Sequence, residues 1–315
     1  MNDPAFYFSI VAKIIIFAAS NLMLMTVGSV SRKFQPKGYF SIKIAAYTIL
    51  KQVLPLMTLL LCSNLLLAQN HELVILHTND THSQLEPYSY KLDTNVGGVL
   101  RREAYVREVR AANPNVLLFD AGDFSQGTPY FNFFKGYVEV EFMNVMGYNA
   151  AALGNHEFDN GCEALAKRLK TADFPVLCAN YEFKNRKLAK IIKPYDIIEI
   201  DGLRVGVFGL TVNLSALISP TTMTELTYLD PVASARKMVE LLQEEHCDLI
   251  ICLSHLGIDS GMVNDYVVAE QVPGIDVIIG GHSHKLLNPP VQVGNTQVYQ
   301  AAKQGKYIGQ ITLTY

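Results

Sequence analysis

Basic charge is not in excess in this sequence. Lys and Arg total 26 against 29 Asp and Glu, for a net charge of -3 and a pI near 6.2. A nucleic-acid duplex is therefore a poor partner, since proteins that grip one show a basic face. Small charged substrates stay open, because a bound metal supplies positive charge of its own. Acidic residues are missing altogether between Pro4 and His71, a stretch in which Arg32, Lys33, Lys37, Lys43 and Lys51 supply positive charge. No close CxxC spacing occurs, which excludes a thiolate metal site of the usual kind. Internal repeats, low-complexity tracts and a linker that would mark a second folded domain are also absent.

The acid-free start reads as an export segment over 1–68. Residues from about 45 to 68 have the build of a signal peptide: a basic region ending at Lys51, an apolar run from Val53, and the small residue Ala68 before the cleavage point. The flank Leu66-Leu67-Ala68 is an imperfect version of the small-x-small pattern. An earlier apolar stretch, 14–30, is slightly short for the roughly 20 residues that span a bilayer. It reads as part of an over-long gene start, with translation beginning at Met25, or else as a membrane helix. Cys62 follows Leu rather than Gly or Ala, so a lipid anchor there is the lesser reading. Any membrane attachment would run through an uncleaved or lipid-modified N-terminus.

Residues 69–315 form the folded part. Four of the five cysteines lie in it. Cys247 and Cys252 bracket one expected strand and would stand about 16 Å apart at the usual rise. A disulfide needs Cα atoms within about 7 Å, so buried free thiols are expected. Short apolar runs at 73–80, 116–123, 150–157, 174–181, 247–257 and 276–284 read as buried strands. Segments 98–112, 137–147, 161–172 and 231–246 carry helical spacing, and Asp230-Pro231 is a strong helix start. Asp201-Gly202 between two apolar runs signals a hairpin. Two more strands are expected at 296–302 and 307–315. Strands alternating with helices imply an α/β domain.

Chemistry is concentrated where those strands end. The first delivers Asp80 and His82, the second Asp123, the third Asn155 and His156, the fifth His255, and the sixth His282 and His284. In open α/β sheets, sites form beyond the carboxyl ends of strands. Glycines at 122, 154 and 280–281 stand beside these residues, where a crowded centre needs close backbone approach. Asp, His and Asn without Cys suit hard or borderline divalent ions such as Zn, Mn, Fe, Co or Mg. Seven donors exceed what one ion usually takes from protein, but suit two ions that share a bridging carboxylate. Such a pair can hold a hydroxide, bind a phosphoryl oxygen and stabilise the leaving oxygen.

Taken in order, Asp80-Thr81-His82, Gly122-Asp123, Gly154-Asn155-His156-Glu157, His255 and Gly281-His282-Ser283-His284 resemble the calcineurin-like metallophosphoesterase superfamily. HTNDTH (77–82), AGDFSQGT (121–128) and ALGNHEFD (152–159) resemble its 5'-nucleotidase branch. The resemblance covers about 72–315 and implies a four-layer α/β/β/α sandwich with two mixed sheets. It implies one metal on Asp80, His82, Asp123 and His284, and a second on Asp123, Asn155, His255 and His282. His156 and Asp159 match the catalytic pair. The implied reaction is hydrolysis of phosphate monoesters, 5'-nucleotides foremost, by in-line attack of a metal-bridging hydroxide with no covalent intermediate. The same metals would also serve a phosphodiesterase or pyrophosphatase acting on cyclic nucleotides or nucleotide sugars. A non-catalytic accessory subunit is a third reading.

Other candidates have alternatives of equal or greater weight. Glu157 reads as a supporting residue behind the ligands. Gln126 and Thr128 touch substrate or merely shape their loop. The aromatic run YFNFFKGY (130–137) reads as core packing at a helix start rather than as a base-stacking surface. His71, His77 and His246 match no motif and read as structural. Many secreted nucleotidases of this type carry a second, C-terminal domain that grips the nucleobase with aromatic side chains, which is not expected after the last strands here. Either a broader set of esters is accepted, or a separate polypeptide supplies recognition. The expected location is the periplasm or cell surface of a bacterium.

Overall fold

The computed structural model describes residues 71–90, 93–259 and 263–315, and Val53 within the first seventy. The export segment expected over 1–68 lies outside the described residues. No helix among the described residues is long and apolar enough to cross a membrane.

The strand Glu72–Thr78 shows why the fold is layered. Its residues from Leu73 on are buried on both faces, the pattern of a strand inside a parallel sheet covered on both sides. Leu73 and Ile75 join one apolar cluster and Val74 and Leu76 another. The first sheet has five strands in the order Gly309–Thr314, Glu72–Thr78, Val116–Asp120, Ala150–Ala152, Val176–Leu177. All its pairings are parallel except the one to Gly309–Thr314. The second sheet has six strands, in the order Val291–Val293, Thr296–Tyr299, Val277–Gly280, Leu249–His255, Leu203–Thr211, Tyr195–Ile200. Its two outer pairings are antiparallel and the inner three parallel. Both sheets are mixed, as expected.

Three apolar layers hold the sandwich together. Leu73, Ile75, Leu117 and Phe119 of the first sheet meet Val205, Val207, Ile251, Leu253 and Ile279 of the second. The outer face of the first sheet is covered by the helices Val99–Ala112, Tyr137–Met146 and Gly161–Leu169. The outer face of the second is covered by Pro231–Glu244 and Asp265–Gln271. Each fully buried Leu, Ile or Phe contributes about 1.5–3 kcal/mol, so the layers supply the main stabilisation. The result is the four-layer α/β/β/α arrangement.

Local signals hold where they had a mechanism. Asp230 accepts a hydrogen bond from Ala233 N at 2.7 Å, with Pro231 opening the helix. Asp201 and Gly202 turn the hairpin between Tyr195–Ile200 and Leu203–Thr211. All four described cysteines are free thiols, three buried and Cys247 partly so.

Two expectations change. The run 174–181 splits into Val176–Leu177 and Tyr181–Phe183, and the second piece pairs with Leu226–Tyr228 in a separate two-stranded sheet. The aromatic run 130–137 packs into the core mainly through Phe131. Phe133 is 79% exposed and Phe134 51%, and Tyr137 is exposed too. The physical reason is length: the helix Pro129–Phe134 has six residues and ends at Lys135 in a left-handed conformation, so only one face reaches the core.

The last two strands go to different sheets. Val298 packs into the helix-facing layer of the second sheet, and Ile311 into the layer between sheets. The connection 300–308 therefore crosses from one sheet to the other, past the first strand's end.

Candidate metal centre

Beyond the ladder, the loops after Glu72–Thr78 and Val116–Asp120 keep running side by side. Ala121 N donates to Thr78 O, Asp80 N to Gly122 O, His82 N to Asp123 O and Ser83 N to Phe124 O, all at 2.9–3.0 Å. Both loops turn through left-handed residues: Asp80 (φ 49), His82 (φ 48) and Asp123 (φ 55), with His282 (φ 67) and His284 (φ 56) doing the same opposite. Such backbone costs a side-chain-bearing residue about 1–2 kcal/mol and is held only where the surroundings over-determine it. At Gly122 (φ 90) the close approach is explicit, since a Cβ there would sit 2.6 Å from Gly154 N and 2.9 Å from His255 Nδ1.

The side chains converge as two groups bridged by a third. Donor atoms of Asp80, His82 and His284 lie within 4.8 Å of one another, as do those of Asp123, His255 and His282, and His82, Asp123 and His156 link the two in the same way. His82 Nε2 and His284 Nε2 are 3.0 Å apart, and His284 Nε2 is 3.3 Å from Asp80 Oδ1. In the second group His255 Nε2 lies 3.1 Å from Asp123 Oδ2, and Asn155 Oδ1 lies 3.1 Å from His282 Nδ1. His156 bonds through its backbone N–H to Asp123 Oδ1 at 2.8 Å, and its Nδ1 lies 2.9 Å from Asp159 Oδ2. Its ring faces that of His82 edge-on, with centroids 5.3 Å apart. All nine residues singled out at strand ends and in the GNHEFD segment thus meet in one crevice.

The crevice has a dry floor and a wet rim. Asp80, Asp123 and His255 are buried, whereas the side chains of His284, His156 and Asp159 are 34%, 31% and 28% exposed. Burial disfavours a charged imidazole at His255, but the Asp123 carboxylate beside it, with Asp80, holds its pKa up to about 10. Burial likewise opposes ionisation of Asp123, yet His255, His156 and His82 keep its carboxyl below the usual range. Burial lowers His82 and His282. His156 is raised, chiefly by its hydrogen bond to Asp159.

Several supporting residues carried no motif of their own. Asn79 is buried between the chain crossing and the floor: its amide donates to Asp80 Oδ2 at 2.6 Å and to Ala302 O at 2.7 Å, while its oxygen accepts from Ala301 N at 2.8 Å. Gln300 frames the His282–His284 turn, donating to Gly281 O at 2.7 Å and accepting from Ser283 Oγ at 3.0 Å. Glu157, flagged as a supporting residue, accepts from Gly154 N at 2.7 Å and from Asp123 N and Ser125 N at 3.0 Å. The Thr128 hydroxyl bonds both the hydroxyl and the backbone carbonyl of Ser83, so it shapes the loop. His77 is a buried residue packed against Tyr299, and His71 meets Asp201 at 2.6 Å; neither joins the crevice.

The donors present fit a pair of divalent ions. They are imidazole, carboxylate and amide groups with no thiolate, and the buried Nε2 of His255 and Nδ1 of His82 have no hydrogen-bond partner. Buried polar atoms are normally satisfied, so at least the first of these, aimed at two carboxylates, suits a cation.

Comparison with known proteins agrees. A 5'-nucleotidase of Diplobatis ommata is 36% identical over 286 residues, covering 82% of this chain and 49% of that protein. The crystal structure of a 5'-nucleotidase precursor from Thermus thermophilus matches with a TM-score of 0.71 at 38% identity, over 78% of this chain and 51% of that one. The NAD nucleotidase of Haemophilus influenzae matches with a TM-score of 0.69 at 29% identity, over 78% and 48%. The chain spans about half the length of the curated relatives it matches. The model of the calcineurin-like phosphoesterases matches residues 73–286. By fold, crevice and sequence, the chain belongs to the calcineurin-like phosphoesterase family, hydrolases that work with two divalent metal ions.

Proposed function

We propose that this chain hydrolyses phosphate monoesters, 5'-nucleotides foremost, at the crevice between its two sheets. The observation that carries this reading is the meeting of two donor groups, linked through His82 and Asp123, with a His156–Asp159 couple at the open rim. Asp80, His82, Asp123 and His284 would hold one ion, and Asp123, Asn155, His255 and His282 the other. Two such ions supply Lewis acidity toward the phosphoryl oxygens and an activated water at neutral pH.

The chain's own part follows from its geometry. Asp159 accepts from His156 Nδ1, which fixes the ring and favours its protonated form. Nε2–H is then left to hydrogen-bond a phosphoryl oxygen or to give its proton to the departing alkoxide. The backbone N–H of His156 steadies Asp123, so the loop that carries the proton donor is tied directly to the shared carboxylate. The buried floor excludes water from the carboxylates, and the exposed rim leaves room for the ester's alcohol.

A second reading has one observation in its favour, the likeness to an NAD nucleotidase: cleavage of a pyrophosphate or diester by the same crevice. The accessory-subunit reading loses ground because every donor and both rim residues are present. Export to a periplasm or cell surface is part of the proposal and rests on the apolar run that precedes Gln69. A separate polypeptide that grips the nucleoside would act by remote binding of the substrate.

The test is phosphate release by metal-stripped protein from AMP, sugar phosphates and bis-p-nitrophenyl phosphate, with and without added Mn or Zn. Metal-dependent release fastest from AMP supports the nucleotidase. Equal slow release from all monoesters points to a recognition partner, and diester preference promotes the second reading. No release with any metal would refute the enzyme.

A further inference from the structure

Asp265 lies fully buried at a place where an acid normally faces water. It opens the Asp265–Gln271 helix, which Asn264 caps by accepting from Val267 N at 3.0 Å. Acids in a first helical turn are usually exposed, and Asp is rarely buried outright without partners. Asp265 is 0% exposed.

Its side chain turns inward to the second sheet. Oδ1 accepts from Ser254 Oγ, and that hydroxyl accepts in turn from Leu256 N at 3.2 Å. The backbone N–H of Asp265 donates to Gly257 O at 2.9 Å. One residue thus grips the chain on both sides of His255. The same carboxyl reaches the neighbouring strand as well. Ser254 and Gly280 are partners in the ladder, and a Cβ at Gly280 would overlap Asp265 Oδ2. The carboxyl takes the space of the side chain that Gly280 lacks, so it wedges against the ends of Leu249–His255 and Val277–Gly280 together.

Those two strand ends carry one half of the metal centre. His255 closes the first of them, and Gly281 and His282 follow the second directly. A Cβ at Gly281 would lie 2.7 Å from His255 Nδ1, so the two ends leave little room for a shift. Asp265 is in none of the donor groups, and its influence runs through the strands. The donors given to the first ion have other anchors. Asn79 bonds Asp80, and Gln300 holds the turn bearing His284 through Ser283 Oγ and Lys285 N.

We propose that Asp265 is a positioning residue for the second metal ion, fixing the spacing of His255 and His282 by joining the two strand ends that carry them. This rests on the assignment of ligands under the proposed function. Ligands need placement to within about 0.5 Å, which a buried wedge between rigid strands can provide.

The test is calorimetric titration of the metal-stripped full chain with Mn. Wild type should show two binding events, and the one that His282→Ala abolishes belongs to the second ion. Asp265→Ala should weaken that event about 10–100-fold, the usual cost of losing support behind a ligand, and leave the other unchanged. Asp265→Asn keeps the volume and an acceptor for Ser254 Oγ, so it should restore most of the affinity. Ser254→Ala removes only a hydroxyl and should weaken the same event by less. It decides the matter if near-UV circular dichroism shows that Asp265→Ala does not fold, and an unchanged event there would count against the proposal. Equal weakening of both events by Asp265→Ala would mark a general loss of structure and overturn it. An Asn variant as weak as the Ala variant would overturn it too, because charge rather than placement would be the cause. Fewer than two ions on wild type would sink the metal-centre reading and this proposal together. Two ions held equally well by wild type and Asp265→Ala would sink this proposal alone.

Discussion

Glu157→Gln is the sharpest probe of how the crevice is held. Glu157 is 1% exposed and receives three backbone N–H groups on two oxygens. Oε2 takes Gly154 N and Asp123 N, and Oε1 takes Ser125 N. Those amides belong to the two loops that present Asp123, Asn155 and His156. A glutamine has one acceptor oxygen. In its better orientation it keeps the two bonds at Oε2 and turns its NH₂ against the N–H of Ser125. One charge-assisted bond is lost, and a buried donor is left facing a donor. A hydrogen bond to a charged group is worth about 1.5–3 kcal/mol, and an unsatisfied buried donor costs a further amount of about 1–3 kcal/mol. The buried guanidinium of Arg168, which donates to Glu157 O at 3.1 Å, also loses its neighbouring negative charge. Allowing for relaxation, a destabilisation of about 2–4 kcal/mol is expected.

Urea unfolding in the presence of a chelator measures this without interference from metal binding. With a urea slope of about 2–3 kcal/mol/M for a domain of this size, the midpoint should fall by about 1 M at unchanged slope. Metal-binding calorimetry should show weaker uptake as well, because the Asp123 loop is no longer pinned. A midpoint shift below about 0.2 M would mean that the three amides find other acceptors and that the clamp does not hold the crevice.

Three further outcomes are expected. His156→Asn should lower turnover about 10²–10⁴-fold, the range of general acid catalysis, while metal content measured by elemental analysis stays at the wild-type level; a proportional loss of metal would recast His156 as a ligand. His77 is buried and neutral, and burial lowers its pKa from 6.5 to about 4, so the unfolded chain binds a proton that the folded chain refuses. Its contribution is complete above pH 6.5 and is lost as pH falls toward 4, by about 3 kcal/mol at 1.36 kcal/mol per pH unit. Urea midpoints of wild type and His77→Gln should therefore converge, or the difference reverse, between pH 6.5 and 4, and parallel curves would refute it. Phe133→Ser, at a 79% exposed position, should change stability by less than about 0.5 kcal/mol; a loss of more than about 2 kcal/mol would restore the core-packing reading of the aromatic run.

The legible part of the fold was the part written in doubly buried strands and capped helices. Glu72–Thr78 and Leu249–His255 each hold an unbroken apolar run, Leu73–Leu76 and Leu249–Leu253, because both faces are covered, and that continuity is visible without coordinates. Val176–Leu177 is two residues long, too short for periodicity to bound, so nothing in the sequence separates it from the unrelated strand that follows. The aromatic run misled because apolar composition does not reveal how many faces of a six-residue helix meet a core. In the crevice, the donor side chains stood out because Asp, His and Asn recur just past apolar runs. Asn79 and Gln300 did not. Their importance lies in contacts with residues far away in sequence, such as Asn79 with Ala301 and Ala302, and no local spacing encodes those.

The crossing segment explains how a centre built from two sheets stays in register. Asp80 belongs to the first sheet and His282 to the second, and they are joined directly, with His282 N donating to both Asp80 carboxylate oxygens at 3.0–3.1 Å. His255 Nδ1 pairs with Ala121 O at 2.7 Å, a second tie between the sheets. Both ties involve backbone on one side, so they fix loop positions rather than side-chain rotamers alone. Asn79 and Gln304 add two more by clasping the crossing segment to the Asp80 turn. Five of the seven donors proposed as ligands sit on left-handed backbone, each disfavoured by about 1 kcal/mol or more. Without these ties the loops would relax toward ordinary turns and the donors would disperse. With them, the crevice is shaped before any ion arrives, and binding energy need not be spent on gathering the ligands. The strained turns and the cross-sheet hydrogen bonds are thus two sides of one device, in which the sheets supply rigidity and the turns convert it into aimed donor atoms.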